Sequence, residues 1–476
     1  MEKTTEIASL LYYTAVMKSL RPLICPIAIG IAIVISGTAD AGERQLTLDP
    51  TRNHELDNND NFSPDDQFLV FDTRTVEGGI KASTMVGKIE IATGEITPLY
   101  ETKKPSKYGP GAGAASYSHT RDEVIFIHGP FHPTGPENQY DFVRRVGVIA
   151  AGDGSGKHHL ADVRDIVAPY SAGALRGGTH RHEYSGDGNW VGFTYNDAVV
   201  KGYGEKIGKD LDLRTVGVTQ LGNPQSVSAS EQFPNQAAGF SALVVVVVPH
   251  PKYGSDEISR AAGDSWVGRN GYLRPDGKRQ MARAFIGTAR NADGNEVEDL
   301  FIVDIPDDIA ESGPLGPLEG TATTFPMPPA GTVQRRLVNS TNRIHPGCKG
   351  IVRASHDGST IAFLMYDDQG QWQVFLISPA GGEPKQATFI DGGVDAGVRW
   401  HPSGKTIVNV SGRQIIVTPV ESGPSLGKSR VLSDHDPGPF ALVWSHDGKT
   451  IAYNRSIRTD DGEATQIFVT DYHGND

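Results

Sequence analysis

The chain has 476 residues and a formal charge of −13 at pH 7, so it can bury a large core, and its acidic balance argues against a nucleic-acid partner, which selects a basic surface. That balance still allows an anionic sugar held in a locally basic pocket. Two cysteines, Cys25 and Cys348, are too few for a disulfide framework, while 56 glycines and 30 prolines fit a turn-rich, all-β chain.

The first predicted element is an export signal over residues 1–41. Lys18 and Arg21 precede an apolar run at 23–36, and Ala39-Asp40-Ala41 supplies small residues at the cleavage positions. The run of 14 residues contains Pro26 and is shorter than the ~20 residues of a membrane span; the competing reading is an uncleaved anchor. Met17 offers an alternative start, and no small residue precedes Cys25 as a lipoprotein site requires. The mature chain, 42–476, is expected to be one monomeric domain, periplasmic or secreted, with no transmembrane segment.

Beyond the leader one phrase recurs: an aromatic or aliphatic residue, a polar turn, then an alternating apolar strand. Full copies are Phe62-Ser63-Pro64-Asp65-Asp66-Gln67-Phe68, Tyr184-Ser185-Gly186-Asp187-Gly188-Asn189-Trp190 and Trp444-Ser445-His446-Asp447-Gly448-Lys449-Thr450; weaker copies start at Tyr117, Leu273, Ala354 and Trp400. A Ser or Asp side chain bonds the backbone two residues on, and Gly accepts a positive φ. Each copy is therefore a hairpin joining two strands of one blade. Seven copies predict a seven-bladed β-propeller, whose blades need roughly 40–45 residues each. The last spacings, 46 and 44 residues, leave no surplus, so the long loops must lie between 184 and 354. Residues 44–48 and 465–470 both alternate and are expected to pair, closing the ring and removing its edges.

Several segments stand outside the phrase. Residues 57–61 read as a solvated loop, lacking the Gly and Glu of a calcium site. Arg74, Arg144, Arg145, Arg335 and Arg336 offer planar forks for a carboxylate, or charges that pair within the chain. Arg74, Arg144, Arg335 and Asn196 are candidate ligand-binding residues. Gly152 to His158 echoes a phosphate loop without its spacing and reads as a hairpin turn. The sharpest cluster is Leu175-Arg176-Gly177-Gly178-Thr179-His180-Arg181-His182-Glu183-Tyr184. On an extended strand His180 and His182 share a face, about 7 Å apart. They would bind a divalent metal, manganese or calcium, if other blades add ligands such as His54, His128, His345 or His401; the alternative is ordinary hydrogen-bonded histidines. Tyr195-Asn196-Asp197 ends a strand as a polar edge or a turn. Residues 243–248 read as a strand buried on both faces, 254–263 as a short helix capped by Ser255, and 306–331 as a surface loop. No Gly-x-Ser-x-Gly nucleophile elbow occurs.

The turn phrase resembles the TolB-type and WD40-like propeller repeat of exported bacterial proteins. Leu69-Val70-Phe71-Asp72-Thr73-Arg74, Phe126-Ile127-His128-Gly129-Pro130, the 175–182 cluster and Phe193-Thr194-Tyr195-Asn196-Asp197 resemble the YidR-like family of bacterial proteins, which brings no established activity. A more distant similarity is to oligogalacturonate lyases, propellers that hold manganese with histidines and a glutamine. Where that pattern has the glutamine, three residues before His-x-His, this chain has Gly177. The similarity implies β-elimination from a uronic acid: His180 and His182 at the metal, Arg176 or Arg145 on the substrate carboxylate, and His128 or Tyr195 as the base. The other expectation is a non-catalytic, TolB-like propeller that binds a protein, a peptide or a glycan such as an anionic oligosaccharide through one face.

Overall fold

Four turns of the repeat use the same hydrogen bonds. Ser185 Oγ donates to Asp187 Oδ1 (2.6 Å) and accepts from the Trp190 N–H (3.0 Å), while Asp187 Oδ1 accepts from the Asn189 N–H (3.0 Å). The set recurs at Ser63/Asp65/Phe68, Ser355/Asp357/Thr360 and Ser445/Asp447/Thr450. These bonds close each loop locally, so a strand must double back on its neighbour. The computed structural model describes residues 42–56, 60–75, 79–228, 230, 232–459 and 462–474. The export signal read over 1–41 and positions 57–59 of the loop at 57–61 lie outside them.

The hairpins assemble into an all-β propeller. A three-stranded sheet comprises Phe68–Asp72, Met85–Glu90 and Ile96–Glu101. An eight-stranded sheet within 112–243 joins two antiparallel quartets through one parallel bridge, Ala237 to Leu160. Four-stranded sheets follow within 260–336, 348–386 and 396–434. The last sheet contains Phe440–Trp444, Thr450–Thr459 and Gly462–Asp471, and its outer strand is the N-terminal Glu43–Gln45, with Glu43 opposite Thr470 and Gln45 opposite Phe468. The expected pairing of the two ends is present. Core side chains interdigitate between neighbouring sheets, as where Val216, Val218 and Phe240 meet Phe285, Phe301 and Val303. The aromatic that heads the repeat also ties sheets together: Trp266 Nε1 donates to Glu183 O and Trp400 Nε1 to Arg353 O, both at 3.0 Å.

Six strands that lead into a turn, two of them in the eight-stranded sheet, carry a bulge, where the register shifts around a residue of positive φ: Ala114, Arg181, Gly263, Gly350, Gly397 and Ala441. Arg181, at φ 54°, is the one long side chain among them. A bulge reverses which face the following residues present.

Three local expectations change. The run at 243–248 leaves the sheet at Leu243; Val244, Val245 and Val247 are buried and Val246 and Val248 half-buried, but the amides of Val244, Val246 and Val248 bond Val216 O, Gln334 Oε1 and Ile258 O in turn. The segment 254–263 forms no helix, because Ser255 closes a turn (Glu257 N–H to its Oγ, 3.2 Å) and Arg260–Trp266 is recruited as a strand. The phrase at Leu273 is a two-residue ribbon, Tyr272–Leu273 with Arg279–Gln280, inside the loop that follows that strand; the aromatic holding the repeat's place is Trp266. An α-helix stands instead at Ala198–Ile207, capped by Asp197 and Gly208. Among the described residues no helix is long and apolar enough to cross a membrane.

Candidate functional site

The cluster at 175–182 owes its geometry to two glycines. A Cβ at Gly177 would stand 2.0 Å from Asn196 O, and one at Gly178 would stand 1.7 Å from Phe142 O. Only glycine permits both approaches, and they bring Phe142, Arg145 and the end of Trp190–Asp197 against His180. Arg145 Nη1 donates to His180 Nδ1 (3.0 Å). A guanidinium can only donate, so the imidazole proton lies on Nε2 and is donated to Asn196 Oδ1 (3.2 Å). Arg214 Nε donates to the same oxygen (3.1 Å), and Asn196 Nδ2 donates to Asp212 (2.8 Å). The Phe142 ring lies over the array, 4.0 Å from the Arg145 guanidinium and 5.4 Å from that of Arg214, and is 49% exposed.

This array is electropositive and short of counter-charge. Among the described residues neither Arg145 nor Arg214 has a carboxylate within ion-pair distance. Burial lowers the pKa of Arg145, and burial followed by repulsion from Arg260 and Arg145 lowers that of Arg214 to about 10. Burial and then Arg145 push His180 well below the usual imidazole range, so it is neutral.

The other singled-out residues go elsewhere. Arg176 and Tyr195 are fully buried around Asp197: Arg176 Nη2 donates to its Oδ2 (2.8 Å) and to Thr324 O (2.9 Å), and Tyr195 Oη donates to the same Oδ2 (2.9 Å). That trio pins the 306–331 loop to the strand pair. His128 is stacked on Phe131, with Nδ1 on Gly129 O and Nε2 on Tyr100 Oη (both 2.7 Å). His54 packs on Phe71 near the closing sheet. Arg74 forks onto Asp72 (2.8 and 3.0 Å), Arg335 onto Asp304 (3.2 and 3.3 Å), and Arg144 donates to Gln139 O. Of the predicted site residues, the structure brings together Arg145, His180 and Asn196 in one group and Arg176 with Tyr195 in another, around Asp197.

His180 and His182 engage different partners. The bulge at Arg181 breaks the alternation that would place them on one face, and His182 Nε2 turns instead to Thr179 Oγ1 (2.9 Å), with Asp162 at 3.7 Å. Among the described residues no group of three or more His, Cys, Asp or Glu is arranged for a metal ion. With a guanidinium on His180, and no room for any side chain at 177, this donor set does not fit a divalent metal.

A second feature lies at the turn end of the same strands and had no sequence expectation. A cavity of ≈ 120 Å³ opens there, walled by the heading aromatics Phe62, Tyr184, Trp266, Trp400 and Trp444. The position before the heading residue contributes Glu183, Arg353 and Arg399, and the position two after it contributes His119, His356 and His446. Asp60 and Arg269 complete the polar lining. A signal was available: aligning the copies on their first residue puts histidine at one column in three of them.

Comparison with known proteins bears on the family and the fold. Residues 111–236 match the family described as protein of unknown function DUF3748. The uncharacterized protein YidR of Escherichia coli (strain K12) is 38% identical over 443 residues, covering 91% of this chain and 97% of that protein. An oligogalacturonate lyase in complex with manganese superimposes over 90% of this chain and 93% of its own, with a TM-score of 0.53 and 12% identity. The oligogalacturonate lyase of Vibrio parahaemolyticus covers the same shares with a TM-score of 0.49 and 10% identity. At such identities the first of these likenesses is one of propeller fold.

Proposed function

The chain belongs to the YidR family, and from that premise we propose that it is an exported, seven-bladed β-propeller that binds an acidic oligosaccharide at the face bearing Phe142, Arg145, His180, Asn196 and Arg214. Seven blades follow if the eight-stranded sheet counts as two, beside the three-stranded sheet and four four-stranded ones. Residues 1–41 serve as the export signal in this reading, leaving 42–476 as one monomeric domain in the periplasm or outside the cell.

One observation carries the binding role: two guanidiniums that have no carboxylate within ion-pair distance among the described residues lie beneath an exposed aromatic ring. A buried cation without counter-charge is costly, and a uronate carboxylate supplies the missing charge. The apolar C–H face of the sugar ring then covers Phe142, combining the aromatic platform and few polar groups that small-ligand sites favour. The expected result is saturable binding of trigalacturonate by calorimetry, with no binding of neutral galactose oligomers. Phe142→Ala and Arg145→Gln should each weaken it about tenfold or more. If no acidic oligosaccharide binds the wild type, the proposal fails.

A second reading is β-elimination on the same substrate class, favoured by the fold likeness to oligogalacturonate lyase and by a carboxylate-binding Arg145 touching a neutral imidazole. There the base takes the proton next to the carboxylate, the C–H electrons form the C=C bond, and the glycosidic oxygen at the next carbon leaves. His180 is poorly placed for this because both its ring nitrogens are already engaged. Ultraviolet absorbance of unsaturated product, followed in the same samples with and without manganese, separates the readings.

A further inference from the structure

The cavity at the turn end of the strands has a different chemistry from the Phe142 face. Arg269 follows the strand Arg260–Trp266, Arg353 and Arg399 lie on strands Cys348–Ala354 and Ala396–Trp400 of the next two sheets, and all three line the cavity. Leaving Arg353 aside, Arg399 has one side-chain hydrogen bond among the described residues, Nη1 to Val398 O (3.0 Å). The buried Nε–H groups of Arg269 and Arg399 have no acceptor there. Neither guanidinium has a carboxylate within ion-pair distance among the described residues. Buried donors left in this state are costly unless something accepts from them.

The acidic groups of the cavity do not fill that role. Glu183 is taken by Arg283, whose Nη1 donates to its Oε2 at 3.0 Å. Asp60 instead faces His119, with its Oδ2 3.6 Å from Nε2, and His119 Nδ1 lies 3.4 Å from His446 Nε2. Burial, and next the charge of Arg269, hold both His119 and His356 down at about 3, so they present neutral N–H donors. The space, ≈ 120 Å³, is well above the ~10–15 Å³ that a single water needs, so a small ligand can enter.

We propose that this cavity is a binding site for a small oxyanion of the phosphate class that retains one proton. Guanidiniums arriving from separate sheets need more acceptor oxygens than the two of a carboxylate, and a tetrahedral anion has them. Burial pushes the Asp60 carboxyl above its ordinary value while His446 and the cavity's arginines draw it back; in its ionised form it is the acceptor for the ligand's remaining P–O–H, and it would repel a fully deprotonated oxyanion. The selectivity follows: hydrogen phosphate is taken and sulfate, which has no proton to donate, is rejected. This site is independent of the Phe142 face and of its proposed ligand.

Three of the five tryptophans, Trp266, Trp400 and Trp444, wall the cavity, so intrinsic fluorescence reports its occupancy. Titrating the full mature chain with inorganic phosphate should give a saturable change, with sulfate at least about tenfold weaker. Arg269→Gln and Arg399→Gln should each lose about tenfold or more in affinity, Arg399→Lys should lose less, and Arg145→Gln should titrate like wild type. Thermal melts establish that each variant is folded, and the wild-type titration stands without them. Absence of a saturable response to millimolar phosphate, equal responses to phosphate and sulfate, or unchanged affinity in both glutamine variants would each overturn the proposal.

Discussion

Arg283 holds two acids at once. Its Nη1 donates to Glu183 Oε2 at 3.0 Å and its Nη2 pairs with Asp264, and all three side chains are buried. Removing the cation would strand two carboxylates in a low-dielectric interior. Arg283→Met should therefore cost roughly 3–5 kcal/mol, the range for breaking a buried pair by removing one partner, read as a lower urea midpoint with an unchanged slope. Adding Glu183→Gln and Asp264→Asn should return most of that loss, because the unpaired charges are gone. Side chains of this kind were hardly legible in the sequence. Arg176, Arg74 and Arg335 were singled out as clamps, yet each is satisfied by an acid of its own fold, Asp197, Asp72 and Asp304. Nothing local marks Arg283, which pairs with two buried acids, or Arg399, which faces the cavity. Which charges remain uncompensated is decided by neighbours from other sheets, beyond the reach of spacing along one strand.

The turn phrase was readable for the opposite reason: each of its bonds is made within a few residues. Burial raises the Asp187 pKa, but the Ser185 hydroxyl and the Asn189 amide outweigh it, leaving the carboxyl below its ordinary value. A depressed folded pKa stabilises above the unfolded value, near 3.9, and that stability is lost as pH falls through the folded value. Asp187→Ala should accordingly lower stability by about 1 kcal/mol at pH 7, and the gap from wild type should close in melts taken progressively below pH 4. An equal gap at pH 7 and pH 2.5 would place the effect outside the carboxylate. Elsewhere local rules misled. The helix at Ala198–Ile207 contains Gly202 and Gly204, which weaken its intrinsic propensity, and its real signals were the caps Asp197 and Gly208. At 254–263 a plausible cap lost to the sheet, where Ile258 and Ala261 enter the core between neighbours. The bulge at Arg181 was equally hidden, because a long side chain at positive φ follows no propensity rule, and it overturned the shared face expected of His180 and His182.

For the whole molecule, the ring depends on its seam. Only three residues of the N-terminal strand pair with Gly462–Asp471, but side chains extend the contact. Glu43 accepts from Arg455 Nη1 (2.8 Å) and Tyr453 Oη (2.9 Å), Thr47 Oγ1 accepts from the Ile467 N–H (2.9 Å), and Leu46 is buried with Val469 in the core. A propeller sheds its edges only by closing. Without residues 42–48, the strand Gly462–Asp471 becomes an open edge carrying Ile467 and Val469, a template for pairing with another chain. Such a truncation should melt several degrees lower and form oligomers that grow with concentration in light scattering. Glu43→Gln keeps the backbone pairing and should remain monomeric, with a loss of about 1 kcal/mol or less because the contacts are partly solvated. The two variants separate the ladder from the side chains. If the truncated chain stays monomeric with an unchanged melt, the seam is held by the inter-sheet core alone, and the pairing of the two ends contributes nothing to closure.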